Sequence, residues 1–189
     1  MELFKNIRLK IGKSILTNKM TKTKRHVRYS NFSLVKSIGI VWDASNTAEF
    51  TSLSKFYQKM HEKNIDVKIL GYFSGKELPN QYTALRYLTC FRRNELSLFY
   101  LPTSPETNTF IKNNFDVLID INLKKILPLQ YLSFLSEAAF KVGLLEPESG
   151  ESPFDLMMDM KNPVDTDSYM NQIVHYLEMI DSGTPGEMR

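Results

Sequence analysis

The chain has 189 residues, a formal net charge of +3, 42% hydrophobic and 12% aromatic residues, and a single cysteine. The aromatic content excludes a disordered chain, and one Cys excludes a disulfide framework or a multi-Cys zinc site. The length fits one domain, since domains typically run to about 100–200 residues.

The charge is unevenly placed. Residues 1–36 hold ten Lys/Arg and one acid, so this segment carries +9 and the remainder −6. Within it, Leu3, Phe4, Ile7, Ile11 and Ile15 recur at helical spacing while Lys5, Arg8, Lys10 and Lys13 mostly occupy other faces. A basic amphipathic helix is expected to about residue 20, followed by the polar connector TKTKRHVR. Two readings follow. Lys5, Arg8, Lys10, Lys13, Lys19, Lys22, Lys24, Arg25 and Arg28 can dock on an anionic partner, either an RNA-containing assembly or a membrane surface. Alternatively, the apolar stripe packs on the body and the lysines face water. On this reading residues 1–36 are arm and connector, 37–181 an α/β domain, and 182–189 a flexible tail.

From Ser37 the chain alternates strand-like and helix-like runs. Ile38–Asp43 is an apolar, β-branched run and reads as a buried strand. Asn46 then stands where a cap is expected, with Glu49 three positions on to reach back to its amide. Phe50, Leu53, Phe56, Tyr57 and Met60 mark one helical face, and Val67–Phe73 is a second strand. Leu85–Cys90 is a candidate strand, Glu106–Asn113 a short helix, and Phe115–Ile121 a further strand. Pro128 suits the first turn of a helix whose apolar face is Leu129, Leu132, Leu135 and Ala138. Strands at Phe140–Leu144 and Phe154–Asp159 come next, then a helix from about Thr166. Such alternation implies a single doubly wound, mostly parallel sheet of five to six strands, Rossmann-like in class.

In open parallel sheets ligands bind beyond the carboxyl ends of the strands. Three expected strands end in Asp43, Asp120 and Asp159, the candidate catalytic and metal-ligating residues. Converging there, their hard oxygens would suit Mg²⁺ and a phosphodiesterase reaction; each can equally close a turn. Ser45 and Asn46 on the same rim are candidate contacts for a small molecule or nucleotide. Without Mg²⁺ chemistry no cofactor is expected, since the chain contains neither G-x-G-x-x-G nor G-x-x-x-x-G-K-[ST].

VWDASN (41–46) resembles the first acidic motif of PIN/NYN-type nucleases, and FDVLID (115–120) their later acidic strand. That resemblance implies metal-dependent cleavage of phosphodiesters. Residues 115–144 resemble the strand–helix–strand unit in the N-terminal half of heptosyltransferase-type glycosyltransferases, which implies the same fold. As a whole the chain looks like a small bacterial family of uncharacterised proteins with a basic N-terminus and one α/β domain. The reading that results is a non-catalytic α/β module docking through its arm. It is cytoplasmic or peripheral to a membrane, because no run approaches the 20 or so apolar residues of a span.

Overall fold

Short runs of Ile, Val, Leu and Phe, each too short to span a domain as a helix, pair into one six-stranded sheet. The computed structural model describes residues 2–29, 31–145, 152–160 and 165–180. The strands are β1 (Ser37–Asp43), β2 (Asp66–Phe73), β3 (Leu88–Arg92), β4 (Val117–Asp120), β5 (Phe140–Leu144) and β6 (Leu156–Met158). Their order is β3-β2-β1-β4-β5-β6, and every pairing is parallel. Parallel neighbours require crossovers. These run through α2 (Phe50–Glu62), α3 (Asn80–Thr83), α4 (Pro105–Lys112) and α5 (Leu127–Leu135), while α6 (Thr166–Met179) follows β6.

Period-two alternation divides the core between two faces. Ile38, Ile40 and Trp42 of β1 join Leu53, Phe56 and Met60 of α2 and Tyr169, Ile173 and Leu177 of α6 in one cluster. Val41 and Leu118 join Phe110 of α4 and Leu129 and Leu132 of α5 in the other. Helices on both faces explain why the central strands read as continuous apolar runs rather than alternating ones.

The arm is part of this body. Helix α1 (Glu2–Met20) packs against the outer side of α5, where Leu16 meets Leu127, Tyr131 and Leu135. Leu9, Ile15 and Met20 lie partly buried around that cluster. A Cβ at Gly12 would collide with the Phe99 carbonyl oxygen and stand 2.9 Å from Leu127 Cδ2, so the bare backbone is what allows the approach. Tyr100, in the left-handed region at φ 60°, turns the chain beside Phe99, and Ser97 Oγ accepts from the Phe99 and Leu101 amides. Of the stripe that one of the two readings packs on the body, Leu3, Phe4, Ile7 and Ile11 are exposed and only Ile15 joins the contact.

Two smaller expectations also change. The Asn46–Glu49 capping box does not form: the Asn46 amide donates to the Asp43 carbonyl, and Glu49 Oε2 instead accepts from Trp42 Nε1 at 3.0 Å. The third strand starts at Leu88 rather than Leu85, because residues 80–83 form a short helix that buries Tyr82. The tail expected at 182–189 lies outside the described residues. No helix among the described residues is long and apolar enough to cross a membrane.

Candidate functional site

Strand order reverses between β1 and β4, so the chain leaves these two neighbours in opposite directions and opens a crevice at their carboxyl ends. A cavity of about 400 Å³ lies there, lined by Asp43, Ser45, Asn46, Glu49, Asn122 and Lys124 among others. A second, of about 350 Å³, lies across the Asn122–Ile126 loop, with Asp120, Gln130 and Phe134 in its wall.

The structure brings two of the three strand-end aspartates to this rim. Asp43 closes β1, where its Oδ1 accepts from the Ser45 amide at 3.1 Å. Ser45 Oγ in turn accepts from the Ser74 amide at 2.9 Å, which ties the end of β1 to that of β2. Asp120 closes β4 but is buried and engaged. Its Oδ1 accepts from the Asn122 amide and side chain at 2.9 and 2.6 Å, and its Oδ2 from Ser133 Oγ at 2.6 Å. Asp159 is exposed just beyond β6, with β5 intervening, so it stands about two strand spacings, roughly 10 Å, from β4. Among the described residues no group of three or more His, Cys, Asp or Glu is placed to hold a metal ion.

Residues outside that expectation also shape the rim. Burial raises the Glu49 carboxyl above its ordinary range; hydrogen bonds from Thr166, Trp42 and Asn46 oppose the shift, and the Asp43 charge adds to it. Asn122 Nδ2 donates to the Val41 carbonyl at 3.1 Å, bridging β4 to β1, while its Oδ1 is buried without a hydrogen-bond partner. Glu49 was legible only as a capping residue, because its proximity to Asp43 depends on the β1–α2 turn.

A buried lysine lies farther along the sheet. Lys141, in β5, is 1% exposed, and its Nζ donates to the Phe134 carbonyl near the C-terminal end of α5 at 3.0 Å. Burial holds its ammonium down to about 7; the Arg25 guanidinium depresses it further, and Asp155 opposes both. The sequence carried a signal for it, a lysine inside the apolar run FKVGL of a strand with neighbours on both sides.

The basic segment is split in its roles. Arg25 pairs with Asp155 at 2.6 Å and donates to the Ala138, Ala139 and Pro153 carbonyls. Lys19 Nζ donates to Tyr131 Oη at 2.6 Å, and the Arg8 guanidinium lies 5.8 Å from the Tyr100 ring centroid. Lys5, Lys10, Lys13, Lys22, Lys24 and Arg28 are exposed. Among the described residues the ion pairs Arg25–Asp155, Lys63–Glu178 and Arg92–Glu95 involve none of these six cations.

Other clusters offer less. Tyr82 and Phe91 are buried and the half-buried Tyr87 stacks on Tyr57, while Arg86, Arg92 and Arg93 are exposed. Burial pushes the Cys90 thiol up to about 12, away from the thiolate that reactivity requires. His26, His61 and His175 are all exposed.

Fold and rim together define a doubly wound α/β domain with an open crevice at its switch point and a basic helix docked outside its second helical layer. The chain belongs to a protein family of unknown function, DUF6913, whose sequence model matches residues 8–180. No curated protein and no solved structure matches it, so the local likenesses to nucleases and glycosyltransferases gain no support from whole-chain similarity.

Proposed function

We propose that this protein is a non-catalytic module that docks on an anionic surface through α1 and the connector after it. One observation carries the reading. The body fastens α1 along Leu9, Gly12 and Leu16, yet leaves Lys5, Lys10, Lys13, Lys22 and Lys24 exposed and outside any ion pair among the described residues. Cations held on a rigid element lose less freedom on binding than cations on a flexible tail, and each phosphate they neutralise releases counterions. Arg25 and Lys19 are excluded from this surface because they hold the arm to the body.

Deleting the arm is a poor test, since it would uncover Leu127, Tyr131 and Leu135. The informative variant is full-length and carries glutamine at Lys5, Lys10, Lys13, Lys22 and Lys24. Wild type and variant are titrated with poly-uridine RNA and with phosphatidylcholine vesicles containing phosphatidylserine. Wild-type binding is expected to fall steeply between about 0.05 and 0.2 M salt, and the variant to bind at least about tenfold more weakly. Equal binding by the two proteins, or no binding of either probe by wild type, overturns the reading.

The crevice between β1 and β4 supports a second reading, a small-molecule or nucleotide binder. Its position at the strand-order reversal favours it, as does the set of Asp43, Ser45, Asn46 and Asn122 around a cavity of about 400 Å³. Calorimetric titration with ADP is expected to give binding that Asn46→Leu abolishes; no heat with wild type, or equal heat with both, removes this reading.

A further inference from the structure

We propose that the anionic surface is a phospholipid bilayer, on which α1 lies in the interfacial plane with Leu3, Phe4, Ile7 and Ile11 inserted. This inference rests on the docking reading above and names its partner. It starts from an apolar stripe that the fold leaves uncovered. Leu3, Phe4, Ile7 and Ile11 are 70%, 74%, 45% and 39% exposed, although α1 already has a packed seam through Gly12 and Leu16. Leu3, Ile7 and Ile11 follow at four-residue intervals and Phe4 falls beside them, so they form one face. At about 100° per residue that face is turned roughly two-fifths of a turn from the packed seam. The helix therefore has two apolar sides, one used by α5 and one open.

The charge around the open side selects its occupant. By the same helical geometry Lys10 lies along one border of the stripe and Arg8 along the other, and the only acid in residues 1–36 is Glu2. An apolar face between cations fits acyl chains below anionic headgroups, where insertion and charge attraction act together. RNA would use the cations and could stack one base on Phe4, but Leu3, Ile7 and Ile11, the rest of the stripe, offer it no hydrogen-bonding or stacking group. A second copy would bring two strongly basic helices together, and like charges oppose that pairing. Since no described helix is long and apolar enough to cross a membrane, α1 lies on the surface rather than spanning it.

The test uses the full chain and Phe4→Ser/Ile7→Ser, whose side chains are exposed, so its thermal unfolding should match wild type. Both are titrated with phosphatidylcholine vesicles with and without phosphatidylserine, and with poly-uridine RNA. Wild type is expected to bind the phosphatidylserine vesicles, and the double variant at least about tenfold more weakly, the loss of burying parts of two large apolar side chains. RNA binding should be the same for both. A Phe4→Trp protein should show a blue-shifted emission on adding vesicles. Wild type that binds RNA but not vesicles overturns the bilayer and leaves the docking reading standing. A double variant that binds vesicles like wild type also overturns it, because the cations alone would then suffice. So does a concentration-dependent dimer that the double variant abolishes, since a second copy would then cover the stripe. Failure of the glutamine variant to weaken either interaction is the separate result that removes the docking reading itself.

Discussion

Lys141 places an amine inside the sheet, 1% exposed. Its one described side-chain partner is the Phe134 carbonyl, and burial lowers its pKa to about 7. In the unfolded chain the same amine keeps its proton to about pH 10.4. Between those values the unfolded chain binds more protons than the folded one, so this residue makes stability rise with pH. Below about pH 7 both states are protonated, and the folded state carries the cost of a buried charge. Lys141→Met should therefore flatten the rise: urea unfolding at about pH 7 and pH 9.5 is expected to show wild type gaining more stability than the variant. Equal gains would mean that the folded amine titrates like a solvated one. Asp120 shows the same scale from another side. Strand-end position made it a candidate ligand, but which atoms its carboxylate meets is set by Asn122 and Ser133, and Ser133 is thirteen residues away on α5.

Helices α1 and α5 show how far pattern alone carries an element. LPLQYLSFL is apolar on nearly every side, and the structure supplies the cause: Leu129 and Leu132 face the sheet while Leu127, Tyr131 and Leu135 face α1. An all-round apolar helix implies cover on two sides, which a single-face reading of Leu129, Leu132, Leu135 and Ala138 passes over, and α5 ends at Leu135, before Ala138. In α1 the periodicity of Leu3, Phe4, Ile7 and Ile11 correctly indicated a helix but not the buried side. Gly12 is the reason. Glycine adds nothing to an apolar count, yet its missing side chain lets α1 reach the Phe99 backbone and so fixes which side turns inward. In an exposed helix Gly→Ala would stabilise by about 1 kcal/mol. At Gly12 the sign should reverse: Gly12→Ala is expected to lower the unfolding midpoint and to speed amide exchange over residues 9–20. A midpoint raised above wild type would show that α1 does not depend on this approach.

On the scale of the whole molecule the net charge of +3 conceals the arrangement that matters. The +9 of residues 1–36 is not neutralised by folding: Arg25 meets Asp155, but the other arm cations have no ion pair among the described residues. Because attraction to a distant anion falls off within a Debye length of about 8–10 Å, the salt dependence of binding will report α1 and its connector rather than the acidic remainder. The doubly wound class, the existence and order of most elements, and the helical arm were all legible in the sequence. They follow from local periodicity, which depends only on residues a few positions apart. Three matters were decided by tertiary structure. Strand order placed Asp43 and Asp120 on neighbouring strands and Asp159 beyond β5. The α1–α5 seam assigned one apolar side of α1 to the body and left the other to solvent. Packing of β5 beneath α5 buried Lys141. Each depends on contacts between residues distant in the chain, whose energies come from surfaces that meet only after folding, so periodicity along the chain does not record them.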